Sequence, residues 1–250
     1  MKFSWSISFI AIVILCISLV VHFPIQLAWK WRASALQGEG LSGTLWKGNI
    51  DRLTWQRWIF TDIEWQWSPK SLLQGQWRYH VSLKSPSVKA QGSGGIGLDL
   101  QGAFAKDWQV FANAEGIASQ ISAPMPIQAQ GTVTLLVDDY RYAKPFCQHL
   151  VADGQWQNSE LNLPLGDLFL NEIRADFSCQ SGTLAGVFTQ TSESLESQWN
   201  GRLAPKGEYS WQGWMKPMPA LSMSWRQALS WVGKRDNEGR YQVDLNGSLP

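Results

Sequence analysis

Histidine and cysteine are scarce in this sequence of 250 residues, which contains three of each. His22 lies in an apolar segment, and neither His80 nor His149 has a cysteine or carboxylate at metal-ligand spacing, so no zinc or iron site is expected. The sequence also lacks a GxSxG nucleophile elbow, a P-loop and a GxGxxG that opens a helix. We therefore predict a protein that is not an enzyme, with no catalytic residue, no metal site and no cofactor.

Charge is low and evenly balanced, at 16% of residues, with 21 Lys+Arg against 20 Asp+Glu and a formal net charge of +1. No run of five like charges occurs. Nucleic acid is not expected as a partner, because phosphate binding needs a concentrated basic face. Tryptophan is abundant, with 16 residues. Large amphipathic side chains, rather than titratable groups, dominate the sequence.

The first 32 residues differ from the rest, because residues 4–29 contain no charged side chain. A helix over residues 7–28 would be about 33 Å long, enough for a hydrocarbon core of about 30 Å. Trp5, Trp29 and Trp31 would lie at the membrane interfaces. The sequence predicts an amino-terminal segment with a transmembrane anchor in residues 1–32, followed by an all-β domain over residues 36–250.

The orientation and processing of this segment leave alternatives. Lys2 favours a cytoplasmic amino terminus, whereas Lys30 and Arg32 oppose it. Residues 33–35 (Ala-Ser-Ala) offer a signal-peptidase pattern, but they end fourteen residues past Val21, far from the apolar stretch. We therefore expect the segment to be retained rather than cleaved.

The all-β domain over residues 36–250 contains two cysteines, Cys147 and Cys179, whereas Cys16 lies in the apolar segment. In an oxidising compartment the two can form a disulfide, which loop entropy makes worth roughly 3 to 4 kcal/mol. The alternative is a pair of separate buried thiols.

Period-two alternation is the main structural signal after residue 36. Apolar residues from Ile59 to Trp67 predict one strand, and those from Trp77 to Leu83 predict its neighbour, each with one wet face. In the first strand, Ile59, Thr61, Ile63, Trp65 and Trp67 are expected to share a face. The pattern returns at Ile96, Leu98 and Leu100; Val133, Leu135 and Val137; Ile173, Ala175, Phe177 and Cys179; Leu195, Ser197 and Trp199; and Tyr241, Val243 and Leu245.

These repeats predict at least eight strands. Few helical patterns separate the strands, and since parallel pairing needs long crossover connections, antiparallel meanders are favoured. Glycines next to large apolar residues indicate bends. We predict a mainly β fold, a strongly curved antiparallel sheet resembling a half-barrel, with the N-terminal helix and one short helix near the carboxyl terminus.

Several connections can be placed as well. Residues 68–75 combine a cap residue, a proline and a final glycine, which predicts one helical turn. Residues 220–232 carry an apolar stripe followed by Gly233, which predicts a helix. Residues 92–97 and 124–126 are expected to join strand groups, and residues 138–139 (Asp-Asp) to form a solvated turn.

The tryptophans admit two interpretations. Trp65, Trp67, Trp77 and Tyr79 occupy the apolar phase of their strands and could line a groove for acyl chains or sugar rings. The alternative, which the alternation favours, is that they fill the inner side of a curved sheet.

Residues 41–48 (Leu-Ser-Gly-Thr-Leu-Trp-Lys-Gly) resemble the characteristic element of the type II secretion system protein N family, carried here by Gly43, Thr44, Leu45, Trp46 and Gly48. Further segments agree in kind and order: Leu53-Thr-Trp55, Trp65-Gln-Trp67, the 68–75 turn, the Cys147 and Cys179 pair, residues 163–166 and residues 201–207.

The resemblance implies a single-pass inner-membrane protein of Gram-negative bacteria, with a cytoplasmic amino terminus and a periplasmic domain. It implies a scaffold or assembly role in export across the outer membrane, with the C, L and M type components as partners and no catalytic residues. More distantly, the chain resembles AsmA-type proteins, which implies a lipid-binding or lipid-transfer module with phospholipid as ligand. A third hypothesis is a peptidoglycan-binding module using exposed tryptophans.

Overall fold

The computed structural model describes residues 2–30, 36–55, 58–120 and 128–248. Four α-helices are present in these ranges, and two short 3₁₀ helices follow prolines. The α-helices are α1 (Lys2–Val21), α2 (Ile25–Trp29), α3 (Ala114–Ala118) and α4 (Met223–Val232), and the 3₁₀ helices are Pro69–Gln74 and Pro86–Val88.

The described part of the chain contains fourteen strands in one sheet. They are β1 (Leu36–Glu39), β2 (Ser42–Gly43), β3 (Lys47–Trp55), β4 (Trp58–Ser68), β5 (Trp77–Ser85), β6 (Ala90–Asp99), β7 (Gly102–Asn113), β8 (Gln128–Arg141), β9 (His149–Leu163), β10 (Gly166–Gln180), β11 (Thr183–Thr191), β12 (Leu195–Leu203), β13 (Glu208–Pro217) and β14 (Tyr241–Ser248).

The sheet is an antiparallel meander, in which every strand from β3 to β14 pairs with its neighbours in the chain. β1 and β2 both pair with β3. The sheet is not closed, because among the described residues β1 and β14 do not pair with each other. The prediction of a mainly β, antiparallel fold is confirmed, with more strands than the eight expected as a minimum.

The turn between β4 and β5 forms where its sequence predicts, with the expected proline and glycine, but Ser68 makes no side-chain capping hydrogen bond. Pro69 begins the 3₁₀ helix, and Gly75 ends it in the left-handed conformation with φ of 68°. Ser71 closes the turn, because its Oγ lies within hydrogen-bond distance of the carbonyl oxygens of Ser68 and Gln76, at 2.7 and 2.8 Å. β5 then pairs with β4, as expected.

Two predicted connections are wrong, because they lie inside strands. Residues 92–97 belong to β6, where the indole of Trp108 covers the position a side chain would occupy at Gly94. Residues 138–139 belong to β8, where a register shift lies between Val137 and Asp139. The joint expected at residues 124–126 lies outside the described residues.

A β-bulge at Asp62 corrects the predicted face of β4. Asp62 has φ of 49°, and the register with β5 shifts between Thr61 and Glu64. Thr61 is opposite Lys84, whereas Trp65 is opposite Val81. Since directly opposite residues share a face, Thr61 and Trp65 lie on opposite faces of the sheet. The prediction that Thr61 and Trp65 share a face is therefore wrong, because it assumes that the alternation continues without interruption through residue 62.

Helix α4 covers one end of the sheet. Leu221 and Leu229 pack on Leu168, Leu170 and Leu195 to form a buried cluster. The helix starts later than the predicted residue 220, because Ser222 caps it by accepting from the Trp225 backbone N–H. Gly233 is the C-cap residue, as expected, and its backbone is extended, with φ of −164°.

The N-terminal apolar stretch is divided into two helices rather than one. Pro24 has an extended ψ of 132° and lies between α1 and α2, because proline donates no backbone hydrogen bond and disfavours helix in the residue before it. No helix in the described ranges is long and apolar enough to cross a membrane, so the predicted transmembrane helix is not confirmed. Trp31, Arg32 and residues 33–35 lie outside the described residues, as does the predicted boundary between residues 32 and 36.

Candidate functional site: the motif junction and the apolar face

The 43–48 motif forms a tight turn that joins the N-terminal helices to the sheet. The Thr44 backbone N–H donates to the carbonyl oxygen of Lys47 at 2.9 Å. The Leu45 N–H donates to the carbonyl oxygen of Phe23 at 3.1 Å, and Pro24 forms a β-bridge with Thr44. Backbone pairing therefore fixes the segment between α1 and α2 against this turn.

Trp46 links the same two parts through its side chain. Its indole Nε1 donates to the carbonyl oxygen of Val20, in the last turn of α1, at 2.8 Å. Its ring lies 4.8 Å from that of Trp67 and 5.7 Å from that of Trp77, measured between centroids. Trp67 and Trp77 are 5.1 Å apart. These three side chains form a tryptophan cluster at the point where α1 meets the sheet.

The glycines of the motif are required by close approaches. Gly43 has φ of 95°, a left-handed conformation that disfavours side chains. A side chain on Gly48 would overlap the indole of Trp65 and the carbonyl of Ser42. Trp65 in turn donates from Nε1 to the carbonyl oxygens of Thr44 and Leu45, at 3.3 and 3.2 Å. The 43–48 turn, the segment between α1 and α2 that it contacts, and the Trp65 strand end thus form one unit, called the motif junction below.

The four candidate groove residues lie on one face of the sheet. Trp65 is opposite Val81, Trp67 is opposite Tyr79, and Trp77 is opposite Leu98. Trp77 is 39% exposed, whereas Trp65, Trp67 and Tyr79 are partly buried. The indole Nε1 of Trp67 is buried and has no hydrogen-bond acceptor among the described residues. This face, called the apolar face below, runs from β3 to β14.

The apolar face contains a cavity of about 370 Å³ over β3 to β7. The cavity is lined mainly by aromatic and aliphatic side chains. They include Trp55, Trp58, Phe60, Leu83, Val88, Trp108 and Val110. The sequence patterns did not identify Trp108 and Val110 as lining residues. The signal that could have found them is the glycine pair Gly92 and Gly94 in β6, since small residues in a strand leave room for a large neighbour.

A second cavity of about 290 Å³ lies farther along the same face, between β9 and β13. Its walls include Leu161, Ile173, Trp199, Trp211 and Met215. It adjoins the leucine cluster under α4, since Leu168, Leu170 and Leu195 belong to both. Both cavities are predominantly apolar, which is the character of sites that accept hydrocarbon.

The opposite face is polar and carries ion pairs. Arg141 donates to both carboxylate oxygens of Asp99, at 3.0 and 2.9 Å, and this hydrogen bonding lowers the pKa of the Asp99 carboxyl. Asp153 is directly opposite Asp176. Desolvation, followed by the hydrogen bond with Asp176, raises the pKa of Asp153. The same face also carries apolar side chains, such as Phe104, which is directly opposite Arg141 and 3% exposed.

Cys147 and Cys179 form a disulfide that ties the segment before β9 to the end of β10. Both residues are buried, at 1% and 2% exposure. Cys16 is a free, exposed thiol in α1.

The titratable residues do not assemble into a reactive centre in the described ranges. No group of three or more His, Cys, Asp or Glu residues there could hold a metal ion. His149 lies near Asp139, with 3.8 Å between Nε2 and Oδ2. The notable surfaces are instead the motif junction, the apolar face and the two edges of the sheet.

These features define a class of protein. It has an open antiparallel sheet with one apolar face, and the motif turn with its tryptophan cluster joins this sheet to an apolar N-terminal helix. A family model described as "Type II secretion system (T2SS), protein N" matches residues 34–244. The chain belongs to this family. No solved structure matches it.

The curated relatives cover nearly the whole chain. A type II secretion system protein N of Vibrio cholerae is 30% identical over 239 residues, covering 94% of this chain and 95% of the relative. One from Aeromonas hydrophila is 27% identical, covering 92% and 89%. One from Pectobacterium carotovorum is 28% identical over 210 residues, covering 83% and 82%.

Proposed function

We propose that this type II secretion component is a non-catalytic scaffold that joins other inner-membrane components of the system through the edge of its sheet. The observation that carries the proposal is the open edge at β14. Its partners would be the C, L or M type components that the family resemblance implies. Extended segments of such partners could add a strand to this edge.

The geometry of β14 shows which backbone groups are available. The Gln242 N–H donates to the carbonyl oxygen of Lys234 on the side away from β13, and Arg235 forms a bridge with Tyr241. Since backbone groups alternate in direction along an antiparallel strand, those of Asp244 and Asn246 also point outward. These two residues have no backbone partner on that side among the described residues. The chain's own residues 234–235 thus occupy only the first position of this edge.

A proline at Asn246 tests the edge directly. N246P removes the outward N–H and blocks a neighbouring strand, whereas proline is tolerated on an edge. N246A is the matched control, because it removes the same side chain and keeps the N–H. We expect N246P to lose co-purification with the C, L and M type components and to reduce secretion of a substrate, with N246A unchanged. Equal co-purification of both variants would contradict the edge as the binding site.

The inner-membrane location is part of this proposal, with the amino terminus in the cytoplasm and the sheet in the periplasm. Side chains 9–21 of α1 are all exposed, and an apolar helix without protein cover is stabilised by lipid. The disulfide between Cys147 and Cys179 supports an oxidising compartment. Protease added to spheroplasts should digest the sheet. Recovery of the intact chain in the cytosol would contradict this location.

Lipid binding on the apolar face is a second candidate function, favoured by the two apolar cavities. Val110 lines the cavity over β3 to β7, and Phe111 is its neighbour on the polar face. V110E places a charge on the apolar face, and F111E is the matched control on the other. Mass spectrometry of gently purified protein should find phospholipid with the native chain and F111E, and less with V110E. Absence of phospholipid from the native chain would rule this function out.

A further inference from the structure

We propose that two hairpin tips beside the motif junction dip into the surface of an anionic phospholipid bilayer, so that the sheet stands on the membrane by this end. The first tip carries Leu72 and Leu73 in the 3₁₀ helix between β4 and β5. The second carries Leu98 and Leu100 at the turn between β6 and β7. The inference rests on the membrane location proposed above and adds a second, independent point of contact.

The four leucines are exposed to a degree that the fold does not require. Their exposures are 47% for Leu72, 91% for Leu73, 58% for Leu98 and 103% for Leu100. Single exposed leucines are ordinary, but neighbouring exposed apolar residues mark interaction surfaces. The two tips are neighbours, because Trp77, which follows the first tip, is directly opposite Leu98. They form one apolar patch, called the leucine rim here.

The leucine rim is continuous with the end of α1. Trp77 contacts Trp46, with 5.7 Å between ring centroids, and Trp46 donates to the carbonyl oxygen of Val20. Val20 is itself 55% exposed. A bilayer that receives the exposed apolar side chains of α1 therefore passes close to the rim. Because the rim is continuous with α1, lipid rather than a partner protein is inferred to cover the leucine rim.

The charges beside the rim fit an anionic surface. Lys70 in the first tip and Lys47 in the motif turn are exposed, and neither has a carboxylate partner among the described residues. Asp99, which follows Leu98, is paired with Arg141 at 2.9 Å. Apolar side chains flanked by lysines are typical of segments that lie at the interface of anionic membranes.

The test uses the full chain in nanodiscs of phosphatidylethanolamine with phosphatidylglycerol. An environment-sensitive fluorophore is attached in turn to L73C, L100C or M223C, each with C16S, and to the native Cys16. Met223 is the matched control, because it is 77% exposed but lies in α4, at the opposite end of the strands. Quenching by lipid that carries a spin label near the headgroup reports immersion.

We expect quenching and a blue shift at positions 73 and 100, and neither at 223. The effect should weaken when phosphatidylcholine replaces phosphatidylglycerol, and unchanged quenching would overturn the anionic preference. Quenching of Cys16 without quenching at 73 and 100 would overturn the leucine rim while leaving the membrane location intact. Loss of quenching at all positions would overturn both, whereas equal quenching at 223 would overturn the proposed orientation.

Discussion

Removal of the Cys147–Cys179 disulfide should destabilise the sheet by an amount that follows from the length of the loop it closes. The two cysteines are 32 residues apart. The chain-entropy relation for a loop of that length gives about 3.7 kcal/mol at 25 °C, because the unfolded chain regains the freedom that the link removed. This corresponds to a roughly 500-fold change in the folding equilibrium constant. Serine at both positions should therefore lower the free energy of unfolding by several kcal/mol.

The assay is urea unfolding of the C147S/C179S variant in detergent, followed by tryptophan fluorescence. With a slope of about 2 to 3 kcal/mol/M, the midpoint should fall by about 1 to 2 M. C16S is the matched control, since Cys16 is a free thiol, and its midpoint should not move. A fall of less than about 0.4 M for the double variant would refute the loop-entropy reasoning, because it corresponds to about 1 kcal/mol.

Three further changes test individual contacts. W46F removes the indole donor to the end of α1 and should cost about 1 kcal/mol in urea unfolding, so an unchanged midpoint would contradict the junction. G94A should cost about 1 to 3 kcal/mol in thermal unfolding, because its methyl group overlaps the indole of Trp108; an unchanged melting temperature would contradict this packing. The Arg240 backbone N–H is the main cause that lowers the pKa of Asp236 from 3.8 to about 2. Since the pKa of Asp236 is lower in the folded than in the unfolded protein, the ionised carboxylate stabilises the fold above pH 4, and this stabilisation is lost as pH falls toward 2. D236N should therefore make the free energy of unfolding less dependent on pH between 4 and 2.

Features set by local sequence could be predicted. Pro69 and Gly75 fix the turn between β4 and β5 through their own backbone preferences, so no distant contact was needed to place it. Alternation in β5 and in later strands reflects one apolar and one polar face, and register shifts interrupt it, as between Ser93 and Gly95 or between Val137 and Asp139. The short hairpin connections then make chain neighbours into sheet neighbours.

Features set by tertiary contacts could not be predicted. The bulge at Asp62 needs a positive φ, which aspartate adopts only where the surrounding structure imposes it. The bulge moves the β4 residues before Asp62 to the face opposite the one that simple alternation predicts. Gly94 looked like a turn residue, yet its role is to leave room for Trp108, fourteen positions along the chain. The partner of Trp46 is a backbone carbonyl, which no side-chain pattern reveals.

The proposed functions depend on different parts of the same sheet, and this makes them separable. Strand addition uses backbone groups at the edge of β14, whereas lipid binding uses side chains on the apolar face. Residues 234–235 fill the start of that edge, so N246P acts only beyond them. V110E lies seven strands away, in β7, and leaves the edge unchanged. Secretion lost with N246P but not with V110E would therefore assign the essential role to partner binding, and the reverse pattern would assign it to lipid.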